Sequence, residues 1–226
     1  MKHTLTLKTT QHEAGDIHSF TFEPDDKVAW KAGQYALFTM KDFKGDGKPS
    51  RTFTIASAPC EDGVMFSTRI GDVCSDFKTQ LKGMEAGDTL TMNGPYGKMC
   101  IDDPEQPILM LAGGIGITPF RSLMMDMDAT LERLPFTSLL YNNSEGNFAF
   151  YDTLDTLNQK HPDVHVHFIE DRETCANEIK AFVDEYKNKG LYLISGSPGF
   201  VNAMEKTLTD QGIEKDRMKH DPFYGY

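Results

Sequence analysis

No stretch of the 226 residues comes near the roughly 20 consecutive apolar residues that a membrane-spanning helix needs. The opening Met1-Lys2-His3-Thr4-Leu5-Thr6-Leu7 alternates polar and apolar residues and lacks the small-residue cleavage site of a secretory signal, so a cytoplasmic chain that begins with a strand is expected. Cysteine is sparse: Cys60, Cys74, Cys100 and Cys175 stand far apart with no C-x-x-C pair, which argues against a zinc or iron–sulfur centre. None of the seven histidines has a metal-type partner spacing, and His165 and His167 simply alternate along a strand, so no metal site is expected. Positive charge is also short. With 23 Lys and Arg against 34 Asp and Glu the net charge is −11, which makes nucleic acid an improbable partner, because phosphate backbones are held by clustered cations. Internal repeats and low-complexity segments are missing as well.

What is there has two textures. From Thr4 to about Pro95 short β-type runs alternate with turn residues: Thr4–Thr9, Ile17–Phe22, Tyr35–Met40, Arg51–Ser57, Val64–Arg69 and Thr89–Asn93, with one helix near Ser75–Leu81. Strands this short and regular predict a small antiparallel barrel or sandwich. After the acidic, Pro-bearing stretch 102–107, buried strands alternate with helices. The strands are Ile108–Ala112, Thr137–Tyr141, His165–Ile169 and Leu191–Ser195; the helices are Pro119–Leu131, Phe150–Gln159, Ala176–Tyr186 and Pro198–Asp210. That alternation predicts a doubly wound parallel sheet. The expected organisation is a first domain over 1–103 and a second over 104–226, the second carrying most of the negative charge, net −8 (11 basic against 19 acidic residues) against −3 (12 against 15).

Two segments carry chemistry. Leu111-Ala112-Gly113-Gly114-Ile115-Gly116-Ile117-Thr118-Pro119 lies where a buried strand hands over to a helix. Glycines there let the backbone approach a pyrophosphate, and the helix start offers free N–H groups. Taken alone it is also compatible with a plain tight turn, and Pro119 stands where a G-x-G-x-x-G fingerprint would have its third glycine. The second segment, Arg51-Thr52-Phe53-Thr54, sits on a strand of the first half, with Arg51 and Phe53 on one side and Thr52 and Thr54 on the other by period-2 alternation. An arginine suits phosphate, an aromatic face suits a planar ring and a hydroxyl suits a ring nitrogen, although the same four residues also make an ordinary strand.

In order along the chain, five segments resemble the ferredoxin-NADP reductase family. Arg51–Thr54 is similar to its Arg-x-Tyr-Ser/Thr flavin motif, Asp72–Phe77 to its Gly-Val-Cys-Ser-Asn-Phe and Gly94–Lys98 to its Gly-Pro-x-Gly. Gly114–Arg121 resembles Gly-Thr-Gly-Ile-Ala-Pro-Phe-Arg, and Ser195-Gly196-Ser197-Pro198 falls where the family shows Cys-Gly-Pro. The resemblance implies a flavin-binding β-barrel followed by a nicotinamide-dinucleotide domain, with FAD as cofactor and NAD(P)H as cosubstrate. It implies that Arg51 holds the flavin pyrophosphate, helped by Val73, Cys74 and Ser75, while Phe53 stacks on the ring and Thr54 bonds the hydride-exchanging nitrogen. Thr52 belongs to the same motif, and Ser67, Thr68 and Arg69 fall where the family contacts the adenosine. Gly113, Gly114, Gly116, Thr118, Pro119 and Gly196 would surround the dinucleotide, with Ser195 by the nicotinamide. Among Phe223, Tyr224 and Tyr226 one aromatic would cover the flavin, unless these rings only anchor the tail.

Departures from the pattern are Phe53 for Tyr, Asp72 for Gly and Ser195 for Cys. After the second strand of the nucleotide half stand Asn143, Ser144 and Glu145, where NADP-specific members carry Ser-Arg. The lack of a cation for a 2′-phosphate favours NADH, with Arg172 as a possible substitute charge. The resemblance thus implies hydride transfer from a nicotinamide to FAD and then electrons to a separate acceptor: a ferredoxin, a flavodoxin, a haem protein or a small molecule. The alternatives are a flavin reductase that takes flavin as a dissociable substrate, or an electron-transfer subunit that works only with a partner.

Overall fold

The computed structural model describes residues 2–223. Met1 and residues 224–226, with the expected ring contacts of Tyr224 and Tyr226, lie outside the described residues. The first half forms an antiparallel sheet of six strands, β1 (Lys2–Ala14), β2 (Ile17–Pro24), β3 (Tyr35–Met40), β4 (Ser50–Thr54), β5 (Val64–Arg69) and β6 (Thr89–Tyr96), ordered β4-β3-β6-β1-β2-β5. Alternation sets the inner face: in β3 every second residue, Ala36, Phe38 and Met40, is buried. Around Phe66 the rings of Phe20, Phe22, Phe38 and Phe53 pack at 4.5–5.8 Å between centroids, and this aromatic cluster is the heart of the sheet's core. Helix α1 (Asp76–Lys82) closes one side of that core with Phe77 and Leu81.

The second half is a five-stranded parallel sheet ordered β11-β10-β7-β8-β9, built from β7 (Ile108–Gly113), β8 (Thr137–Asn142), β9 (Val164–Ile169), β10 (Leu191–Gly196) and β11 (Met218–Pro222). The helices are α2 (Ile117–Thr130), α3 (Tyr151–Lys160), α4 (Arg172–Tyr186) and α5 (Pro198–Asp210). Strands β8 and β9 lie to one side of β7 and β10 to the other. The C-terminal end of β7 is therefore the switch point at which ligands bind in such sheets. One apolar layer, under α4 and α5, is internal to this half. The other, around α2 and α3, also takes in Ile17, Ala32, Ala56 and Met99 from the first half, so the two sheets share a core across α2.

The antiparallel and parallel sheets match the expected fold class, with several element-level corrections. Strand β1 runs to Ala14, not Thr9: it carries register shifts between Leu7 and Thr9 and between His12 and Ala14, and such bulges break the alternation that marks a strand in sequence. Strand β4 ends at Thr54 instead of Ser57. Helix α2 starts at Ile117, after a 3-10 turn over Gly114–Gly116, and α4 starts at Arg172, where the Asp171 carboxylate accepts from the Thr174 N–H at 2.8 Å. Strand β11 is an addition to the expected elements, its Met-Lys-His-Asp-Pro sequence having no apolar run or alternation to mark it.

Candidate functional site

Two clefts meet at the glycine turn after β7. The first, about 970 Å³, lies where β4 and β5, the two edges of the antiparallel sheet, approach each other. It stands at the upper end of the roughly 300–1,000 Å³ that enclose small ligands and cofactors. Ser50, Arg51, Thr52, Phe53 and Thr54 line it from β4, and Ser67 and Thr68 from β5. Ile115, Thr118 and Asp221–Phe223 come from the second half. The four residues of the Arg51–Thr54 segment border one cleft rather than splitting between two faces, because β4 is an edge strand and both of its sides can reach the opening. Phe53 borders the cleft while one of its faces is stacked on Phe66, at 4.6 Å with the rings 4° from parallel.

Arg51 donates to the carbonyls of Lys48 and Ser50 and lies over the Phe77 ring at 5.5 Å. At the other end of β4 the Thr54 hydroxyl donates, over a long 3.5 Å, to the Asp221 carboxylate. Burial pushes the Asp221 carboxyl up to about 6, against the Thr54 hydrogen bond and the His220 charge, which pull it down. Asp221 and Tyr35 also border a neighbouring opening of about 690 Å³ whose rim carries Lys31, Lys98, Lys219 and His220, giving that carboxyl a second face.

The second cleft, about 750 Å³, is lined by Gly113, Gly114, Ile115, Asn143, Ser144 and Phe200, with further residues from the ends of β8 and β9 and from α4 and α5. Two glycines of the turn have separate jobs. A Cβ on Gly116 would stand 2.3 Å from the Ser195 carbonyl oxygen, so only glycine lets the turn pack on β10. Gly114 has φ +54° with open space where a side chain would go, leaving the backbone accessible from the cleft. Thr118 anchors the turn by donating to the Ile115 carbonyl at 3.1 Å, and Pro119 is buried in the first turn of α2. Ile115 borders both clefts.

Other expected residues sit differently. Arg69 borders the second cleft, not the first, and its guanidinium is taken by Asp16 at 2.8 and 3.1 Å and by Glu145 at 3.6 Å. Ser195 is fully buried on β10 between β7 and β11, reaches the Asp221 carbonyl at 3.5 Å and borders neither cleft. Gly196 accepts the Phe223 N–H at 2.9 Å, which fixes the end of the described chain against the first cleft. Val73 is almost fully exposed, the Cys74 thiol lies 3.5 Å from the Thr79 hydroxyl, and the Ser75 hydroxyl is buried with no hydrogen-bond partner. Sequence reasoning missed Lys48, Lys78, Tyr35 and Asp221. Asp221 had no signal in the sequence: Met218-Lys219-His220-Asp221 is one apolar residue followed by three polar ones, without the alternation that marks a strand.

Residues 110–206 match the family model described as the oxidoreductase NAD-binding domain. Over 166 residues, 69% of this chain, the sequence is 33% identical to the 2-halobenzoate 1,2-dioxygenase electron transfer component of Burkholderia cepacia, covering 47% of that protein. It is 23% identical to the NAD(P)H-flavin reductase of Aliivibrio fischeri over 96% of each chain. The cytochrome b5 reductase domain of Ulva prolifera nitrate reductase superposes with a TM-score of 0.82 at 22% identity, over 98% of this chain and 97% of that one. The chain spans about half the length of several curated relatives it matches. Among the described residues no helix is long and apolar enough to cross a membrane. With the matched nucleotide half, these relatives and the two clefts meeting at Ile115, the chain belongs to the ferredoxin reductase-like family of FAD/NAD(P)-binding oxidoreductases.

Proposed function

We propose that this chain moves electrons from NADH, through FAD held in the first cleft, to a separate acceptor, with residues 1–103 as the flavin domain and 104–226 as the nicotinamide domain. The observation that carries this reading is the meeting of the two clefts at Ile115, which brings a ligand at the glycine turn up to one bordered by Thr54 and Asp221. The residues suit the flavin: Arg51 offers a cation for phosphate and Phe53 offers ring surface. Bound there, FAD would supply the redox chemistry, accepting a hydride from a nicotinamide and passing electrons on.

The chain's own part is positioning and proton control. Thr54 presents a hydroxyl, and Asp221 holds a proton beside it with an affinity near neutrality, on a carboxyl that the neighbouring opening connects to solvent. In the second cleft Asn143 and Ser144 supply neutral hydrogen-bonding groups for a ribose. Glu145, Glu170 and Asp171 border the same cleft, and of its cations Arg69 is already engaged by Asp16 and Glu145. With Arg172 left to face three carboxylates, a 2′-phosphate is disfavoured and NADH is preferred over NADPH. Anaerobic titration of the purified protein, followed in the visible spectrum, tests this: bleaching of a bound flavin by NADH and much less by NADPH is expected, and a colourless protein that takes up no added FAD would overturn it.

The end-to-end match to an NAD(P)H-flavin reductase supports a second reading, in which flavin comes and goes as a substrate. FAD that stays with the protein through gel filtration decides against it.

A further inference from the structure

We infer that Lys78 is a second phosphate-binding residue of the first cleft, so that the cleft selects phosphorylated flavins, FAD and FMN, over riboflavin; this rests on the reading that a flavin occupies that cleft. Lys78 lies outside every segment that carries the family resemblance, as the third residue of α1, one residue after Phe77, whose ring carries the Arg51 guanidinium. It is half-buried, borders the cleft and makes no hydrogen bond or ion pair with any described residue. Asp16, a carboxylate whose charge acts on it, is already bound twice by Arg69.

The cleft's charge is segregated. In a chain of net charge −11 the described residues of its lining include three cations, Lys48, Arg51 and Lys78, and one carboxylate, Asp221, which pairs with Thr54. Arg51 and Thr54 are three residues apart on β4, about 10 Å along an extended strand. One end of the cleft is therefore cationic and the other carries the hydroxyl and the carboxyl. Burial pulls the Lys78 ammonium below its ordinary range, as do the charges of Arg51 and Arg69, while Cys74 and Asp16 only partly oppose them. An unpaired ammonium held beside an arginine under these conditions is compensated when a doubly charged phosphate enters, and a neutral ribityl hydroxyl cannot do the same.

The test is binding, read by quenching of flavin fluorescence as flavin-free protein is titrated with riboflavin, FMN and FAD, for the parent, Lys78→Met and Lys78→Arg. The parent should bind FMN and FAD more tightly than riboflavin. Lys78→Met should weaken FMN and FAD by about 10-fold or more, the range of a lost charge-assisted hydrogen bond, and leave riboflavin unchanged. Lys78→Arg should recover most of the loss, and the salt dependence of FMN binding should be shallower in Lys78→Met. Unchanged riboflavin binding doubles as the control for folding. Equal losses for all three flavins would make Lys78 a packing residue and overturn the assignment, as would unaltered FMN and FAD binding in Lys78→Met. A parent that binds none of the three would instead sink the flavin reading itself.

Discussion

At the scale of single residues the most informative side chain is Asp221. Its carboxyl titrates near 6 in the folded chain against an ordinary 3.8, and the cause is burial. Between these values the folded protein binds the proton more tightly than the unfolded chain, so the stability this group contributes is present below about pH 4 and is lost as pH rises through 6. The difference corresponds to about 3 kcal/mol. Asp221→Asn removes the titration. Urea unfolding of the flavin-free protein should show the variant gaining on the parent by up to about 3 kcal/mol between pH 4 and pH 7, and a gap independent of pH would show that the carboxyl does not titrate in this range. Thr54 was legible in sequence through its motif. Its partner was not, because 167 residues separate the two and only the docking of β11 beside β10 joins them.

At the scale of elements the β7–α2 turn separates two requirements that a string of glycines merges. Gly116 is needed for contact, since an added Cβ would meet backbone that cannot yield cheaply, and Gly114 for conformation, since space is open but φ is +54°. Gly116→Ala should cost about 3 kcal/mol through overpacking against β10. Gly114→Ala should cost only about 1 kcal/mol, the penalty of a left-handed backbone on an L-residue. Because Gly114 borders the second cleft, its variant should keep most of its thermal stability and still bind NADH more weakly, whereas the Gly116 variant should lose stability first. Calorimetry paired with NADH titration separates the two, and matching losses in both variants would remove the distinction. Element boundaries were less legible than this turn. Gln11-His12-Glu13 continues β1 with polar residues, the first two exposed, and α4 begins on the charged Arg172-Glu173, so neither shows the apolar period that marks an element.

For the whole molecule the decisive contact is Arg121 with Glu61, which ties α2 to the loop after β4. The pair is bidentate at 2.6 and 2.8 Å, Arg121 also donates to the Ala56 carbonyl at 2.9 Å, and its guanidinium lies 5.3 Å from the Phe150 ring. Burial raises the Glu61 carboxyl, but its bonds and charge contact with Arg121 outweigh that and hold it below the ordinary range. Beside it the Ser122 hydroxyl donates to the Ser57 carbonyl at 2.7 Å, so α2 is fastened to the β4–β5 loop by two adjacent residues. Glu61→Ala should cost about 3 kcal/mol, because it leaves a guanidinium with 10% side-chain exposure unpaired. Arg121→Met combined with Glu61→Ala should cost less than the sum of the single changes. A double-mutant cycle by urea unfolding measures this, and additive losses would show that the pair is not coupled.

The sequence by itself determined the family, the change from short antiparallel strands to alternating strands and helices, and the glycine turn with its threonine and proline. All of these depend on local pattern: period-2 and helical alternation, turn residues, and motifs a few residues long. Only the tertiary structure decided that Lys78 stands beside Arg51, that Asp221 meets Thr54, that Arg69 faces the second cleft and that both clefts end on Ile115. Those neighbours come from different strands and helices, brought together by the order of strands in each sheet and by the core the two sheets share across α2. A local pattern tells each residue which face to bury; it carries no information about which distant face will be packed against it.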